Sequence, residues 1–140
     1  MNGRRSRNRT VTFVMGATAS GKTTFIKNMH FSDKKDTVVL NVYDYQQAAY
    51  KEAGSDQGLT FEENFQCLYE ANENLLLDII KTLQENKNVV VEQTFYKAKR
   101  RITYIEAIRK AVENVFLEIY VMCPSEAVWK TYRNKRELDD

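Results

Sequence analysis

Residues 16–23, from Gly16 to Thr23, fit the pattern GxxxxGK[ST]. Glycines at the start of the run and just before the lysine let successive backbone N–H groups converge on phosphate oxygens. Lys22 supplies an ammonium for the β- and γ-phosphates, the Thr23 hydroxyl is a ligand for Mg²⁺, and a following helix N-terminus adds partial positive charge. The predicted nucleotide contacts are Gly16, Ala17, Thr18, Ala19, Ser20, Gly21, Lys22, Thr23 and Thr24. Such a loop names a ligand, ATP with Mg²⁺, and leaves the reaction open among motors, switches, transporters and kinases.

The remaining chemistry-bearing residues narrow that choice. Asp44 stands just beyond a short apolar run, 37–42, where a carboxylate could take the proton of an attacking hydroxyl and help hold the metal; the competing reading is a solvated helix-cap aspartate. Glu92 ends a wholly apolar run, 89–91, and could hold Mg²⁺ through water or bind substrate hydroxyls. Thr94 would face the same side as Glu92 if that strand continues. Lys97, Lys99, Arg100 and Arg101 follow at once, a cationic cluster suited to an anionic substrate or to plain solvation. Arg133 and Arg136 are three apart and share a helix face, from which they could neutralise charge on a transferring phosphoryl group. The arginines at 4, 5, 7 and 9 read as a solvated, flexible arm over residues 1–9.

Residues 10–15 are β-branched and apolar and run into Gly16, which predicts a buried strand before the phosphate loop. A helix over 23–29 follows, then a strand over 37–42 and a loop leading into a helix over 43–51. Thr60 with Glu63 spells a capping box. Phe61, Phe65, Leu68, Leu75, Ile79 and Leu83 then recur at helical spacing for some six turns. The run 89–92 reads as a parallel strand buried on both faces, and Ile102, Ile105, Ile108 and Val112 as the apolar face of a further helix. Residues 115–122 read as a fourth strand, and Ser125 as the cap of a last helix carrying Val128 and Trp129. Strands alternating with helices predict a three-layer α/β domain with a mostly parallel sheet, the first strand central and the long 60–84 helix over one face.

Composition bounds the rest. The 140 residues suffice for one globular domain over 10–140, and 21 Lys plus Arg against 19 Asp plus Glu leave a net charge of +2, too small to announce a nucleic-acid binder. The 2 cysteines, Cys67 and Cys123, lie far apart, and His30 is the one histidine, which argues against a disulfide framework or a zinc site and for a reducing compartment. With no apolar run of membrane-spanning length and no signal-peptide pattern, the expectation is a cytoplasmic protein. An ending at Asp140, where such a sheet often gains another strand, suggests that the native chain extends further.

The phosphate loop, the segment 41–47 with Asp44, the run 89–94 with Glu92 and Thr94, and the Arg133/Arg136 helix together resemble the small P-loop kinases grouped with zeta toxins and polynucleotide 5′-kinases, AAA-type ATP-binding domains. The resemblance covers residues 10 to about 137. Zeta-toxin-like proteins carry Glu-Gly-Thr where this chain has Glu92, Gln93 and Thr94, and polynucleotide kinases carry paired arginines downstream, as Arg100 and Arg101 are here. Both groups place an arginine three residues after the catalytic aspartate, and Gln47 stands at that position. The resemblance implies a P-loop NTPase fold of nucleotide-kinase type that moves the γ-phosphoryl group of ATP·Mg²⁺ to a hydroxyl of a small metabolite or sugar nucleotide. It assigns Lys22, Asp44, Arg133 and Arg136 to catalysis, Thr23 and Asp44 to the metal, and Glu92, Thr94, Arg100 and Arg101 to the substrate. A nucleic-acid 5′ end is the second acceptor to weigh, favoured less, and a non-catalytic nucleotide-binding module or slow ATPase is the other class. The loop spelling is also similar to that of tRNA dimethylallyltransferases, a lesser match.

Overall fold

A computed structural model of the chain describes residues 9–16, 21–54, 58–94 and 98–122. β1 (Arg9–Gly16) leads through Gly21 into α1 (Lys22–Asn28), a short 3-10 turn at Phe31–Asp33, and β2 (Thr37–Asn41). Next come α2 (Val42–Glu52) and the long α3 (Phe61–Gln84), then β3 (Asn88–Gln93), α4 (Ala98–Ala111) and β4 (Val115–Met122). The four strands form one parallel sheet in the order β2-β3-β1-β4, with β1 and β3 inside, so the expected α/β architecture with a central first strand is present.

Side-chain alternation divides the two faces. Val11, Phe13 and Met15 of β1 and Val89 and Val91 of β3 meet Leu75, Ile79 and Leu83 of α3 and Tyr104 and Ile108 of α4. Val14 and Val90, one residue out of phase, pack on the opposite face with Phe31, joined by Phe25 and Ile26 of α1. Helices on both faces make three layers. Because every strand is parallel, the C-terminal ends of β1, β2 and β3 share one sheet edge. There the crossover leaving β1 heads for β2 and the one leaving β3 heads for β4, in opposite directions. Such a divergence is the topological switch point at which α/β sheets bind ligands.

The capping box of α3 is present: Glu63 N–H donates to the Thr60 hydroxyl at 3.1 Å and Thr60 N–H donates to the Glu63 carboxylate at 3.0 Å, which holds that carboxyl below its ordinary value. Three expectations shift. Phe61 and Phe65 are exposed, at 84% and 59%, because α3 turns other residues toward α2, Asn64 accepting from the Tyr50 hydroxyl. Cys67 and Ala71 are buried there, with the Cys67 thiol 3.8 Å from the Ala49 carbonyl oxygen. On α4 the buried stripe is Tyr104, Ile108 and, just past the helix, Val112, whereas Ile102 is exposed. The helix is turned so that the Tyr104 hydroxyl, buried with the ring, donates to the Asn72 carbonyl at 2.6 Å.

Arg9 belongs to no solvated arm. It opens β1, is 8% exposed, and its guanidinium donates to the Leu83 carbonyl at 2.6 Å and the Glu113 carbonyl at 3.5 Å. A cation at the last turn of α3 answers that helix's orphan carbonyls and the negative end of its dipole. The other arginines of the proposed arm, at 4, 5 and 7, and the expected last helix with Ser125, Val128, Trp129, Arg133 and Arg136, lie outside the described residues. Among the described residues no helix is long and apolar enough to cross a membrane.

Candidate functional site

Three polar side chains meet at the C-terminal edge of the sheet. Parallel pairing sets Asn41, the last residue of β2, directly beside Glu92 of β3, and Glu92 in turn beside Val14 of β1. By alternation Glu92 shares the face of Val90, the α1 side, so its carboxylate meets the start of α1. The Thr23 hydroxyl donates to Glu92 Oε1 at 2.6 Å, and the Asn41 amide donates to Oε2 at 2.5 Å. Glu92 is 7% exposed, and donors on both oxygens offset the desolvation of its carboxylate.

Lys22 begins α1 and its ammonium donates, among its contacts, to the carbonyl of Gly16 at 2.8 Å. Gly21 caps the helix at φ 96°, a left-handed conformation that side chains disfavour, which explains glycine before the lysine. Thr24 is exposed on the first turn of α1, while Ala17, Thr18, Ala19 and Ser20 lie outside the described residues.

The segment after β2 is helical from Val42 onward, in place of the expected loop, because the Asn41 side chain accepts from Tyr43 N–H at 2.8 Å and caps α2. Asp44 therefore sits in the first turn of that helix, exposed, at the same sheet edge as Thr23 and Glu92. Tyr45 follows, its hydroxyl donating to Asp78 at 2.5 Å, and burial together with that carboxylate pushes the phenol well above its ordinary value.

Past Glu92 the strand lasts one more residue, so the alternation expected to carry Thr94 does not reach it. Gln93 turns to the α3 side and donates to Asn72 Oδ1 at 2.8 Å, and Thr94 N–H donates to Gln93 Oε1 at 2.9 Å. The Thr94 hydroxyl lies 3.3 Å from that same oxygen. Lys99 and Arg100 are exposed and Arg101 half-buried on the first turn of α4. With Ala98 four residues after Thr94, that turn starts within roughly 14 Å of it. Lys97 is outside the described residues.

Asn41 is the residue at this cluster to which the sequence assigns no role. Its local signal was an asparagine at the junction of an apolar strand and a helix, which spells a cap. Its second partner follows from strand register, which no local pattern encodes.

The Thr23 hydroxyl and the Glu92 carboxylate are hard oxygen donors in contact, the donor set that Mg²⁺ takes in small number alongside phosphates and water. The described residues contain no separate cluster of three or more His, Cys, Asp or Glu side chains able to hold a metal.

The AAA domain family matches residues 11–140. The chain belongs to that family. Among solved structures, a candidate kinase from Chloroflexus aurantiacus is similar over 94% of this chain and 69% of its own, at TM-score 0.75 and 14% identity. A chain of the PezAT toxin–antitoxin system of Streptococcus pneumoniae matches 96% of this chain and 55% of its own, at TM-score 0.71 and 11% identity. A chain of the Pnkp1/Rnl/Hen1 RNA repair complex matches 94% of this chain and 39% of its own, at TM-score 0.70 and 16% identity. The chain thus spans well under two thirds of the last two proteins. No curated protein matches it in sequence. The fold is that of the small P-loop kinases, the group its motifs resemble.

Proposed function

We propose that this domain is an ATP·Mg²⁺-dependent kinase that moves the γ-phosphoryl group of ATP to a hydroxyl of a small metabolite or sugar nucleotide. The observation that supports the reading is the hydrogen bond from Thr23, which ends the phosphate-loop motif, to the buried Glu92 carboxylate, a pair of oxygen ligands suited to Mg²⁺.

Each residue then has a task. The loop residues 16–23, with Thr24 beside them, bind the phosphates, and the Lys22 ammonium exchanges the Gly16 carbonyl for phosphate oxygens. Thr23, with Glu92 behind it, would hold Mg²⁺, which when bound would supply positive charge to the phosphates. Asp44 accepts the proton of the acceptor hydroxyl as its oxygen bonds to the γ-phosphorus and the bond to ADP breaks. Of the two tasks open to Glu92, metal and substrate, the contact with the Thr23 hydroxyl favours the metal. Lys99, Arg100 and Arg101, on the first turn of α4, are assigned to an anionic acceptor, and Arg133 and Arg136 to the charge of the transferring group, as the resemblance implies.

A second acceptor, a polynucleotide 5′-hydroxyl, is favoured by the exposed Lys99 and Arg100 on α4. The test is transfer of label from γ-labelled ATP to pools of sugar nucleotides, small metabolites and 5′-hydroxyl oligonucleotides. Label on a metabolite supports the first reading and label on oligonucleotides the second. ADP release without labelled acceptor, or none at all, makes the domain an ATPase or a binding module and contradicts both.

A further inference from the structure

Asn41 spends both ends of its amide on different elements. Oδ1 accepts from Tyr43 N–H at 2.8 Å and caps α2, while Nδ2 donates to Glu92 Oε2 at 2.5 Å. The two bonds fix each other, because an amide turned over would set its oxygen against the Glu92 carboxylate and its NH₂ against a backbone N–H. Strand register adds a third constraint by pairing Asn41 with Glu92 across β2 and β3. With Oε2 held by Asn41, the carboxylate can turn neither away from Thr23 nor into the sheet, and Oε1 stays on the Thr23 hydroxyl. The same side chain ties the start of α2, which carries Asp44, to the residue behind the metal position.

We propose that Asn41 is a positioning residue that sets the orientation of Glu92 beside Thr23 and thereby the Mg²⁺ requirement of nucleotide binding, a role separable from its capping of α2. The inference rests on the nucleotide-site reading above and needs no acceptor. Partners that orient metal-holding side chains typically contribute 10- to 100-fold to metal affinity.

The separation is made by substitution. Asn41→Ser and Asn41→Thr keep an oxygen able to cap α2 but lack the second amide arm and stop short of Glu92; Asn41→Ala loses both functions. The readouts are the melting temperature without ligand and the Mg²⁺ concentration that half-saturates binding of a non-hydrolysable ATP analogue. Asn41→Ala should lower the melting temperature and raise the Mg²⁺ requirement by about 10- to 100-fold. Asn41→Ser or, should it fold poorly, Asn41→Thr should restore the melting temperature and leave the requirement raised by the same factor. A cap-restoring variant with the wild-type Mg²⁺ requirement overturns the positioning role and leaves the nucleotide site standing. A wild-type protein with no Mg²⁺-dependent analogue binding overturns both.

Discussion

Glu92 is a buried carboxylate at the end of an apolar strand, a position that costs free energy unless donors surround it. Thr23 and Asn41 are those donors, and in the proposed site a divalent cation would take the place of part of that hydrogen bonding. Glu92→Gln keeps the shape and removes the charge. ATP should then bind with nearly the same affinity in the presence and absence of Mg²⁺, where the wild type gains from the metal, and titration calorimetry with and without Mg²⁺ checks this. Asp44 differs in kind. It is exposed at the start of α2, so its replacement should spare the fold and ATP affinity. Asp44→Asn is expected to lower phosphoryl transfer by about 10²- to 10⁴-fold, the range of a lost general base. Undiminished transfer would remove Asp44 from the mechanism.

At the scale of elements, the polar linkage from Gln93 to Asn72 and from Asn72 to Tyr104 joins β3, α3 and α4 directly behind the site. Tyr104→Phe should cost about 1 kcal/mol, the net worth of one hydrogen bond, measured by denaturant unfolding. Burial, the dominant cause, holds the Tyr104 phenol well above its ordinary value of 10.0. The unfolded chain therefore loses this proton first. Stability from this group is fully present below about pH 10 and declines as pH rises further, and Tyr45, raised by burial and Asp78, adds the same sign. The unfolding free energy of Tyr104→Phe should fall less steeply than that of the wild type between about pH 10 and 11. This linkage also shows where sequence stops being legible. The capping box of Thr60 and Glu63 and the apolar run of β3 are local patterns, and both stand in the structure. On α4, Ile108 and Val112 are buried as periodicity predicts, but Ile102 is exposed and Tyr104 is inside, because periodicity gives no weight to a tyrosine whose hydroxyl has a distant partner. Arg9 read as solvated for the same reason, since the carbonyl it meets is that of Leu83. Phe61 and Phe65 fit the helical stripe, but packing on α2 chose the smaller Cys67 and Ala71.

For the molecule as a whole, the parallel sheet brings the ends of β1, β2 and β3 to one edge, and that convergence gathers residues as distant in sequence as Thr23, Asn41 and Glu92. The cations Lys99, Arg100 and Arg101 follow on the next element, at the same edge. If the acceptor were a single-stranded polynucleotide, log affinity should fall by about 0.7 per neutralised phosphate for each decade of salt. A small-metabolite kinase should instead bind oligonucleotides weakly once residues 1–8 are deleted, a truncation that spares Arg9 in β1. Fluorescence anisotropy between about 50 and 200 mM salt distinguishes the two. Both acceptors presuppose one nucleotide site, and its direct measurement is the melting temperature of the wild type and of Lys22→Met at saturating ATP·Mg²⁺. Ligand at about 100 times its dissociation constant adds about 2.7 kcal/mol. The wild type should rise by on the order of 5–10 °C, a gain that Lys22→Met largely loses, with the unliganded melting temperatures alike. A wild type indifferent to ATP·Mg²⁺, or a Lys22→Met protein stabilised equally, would contradict it.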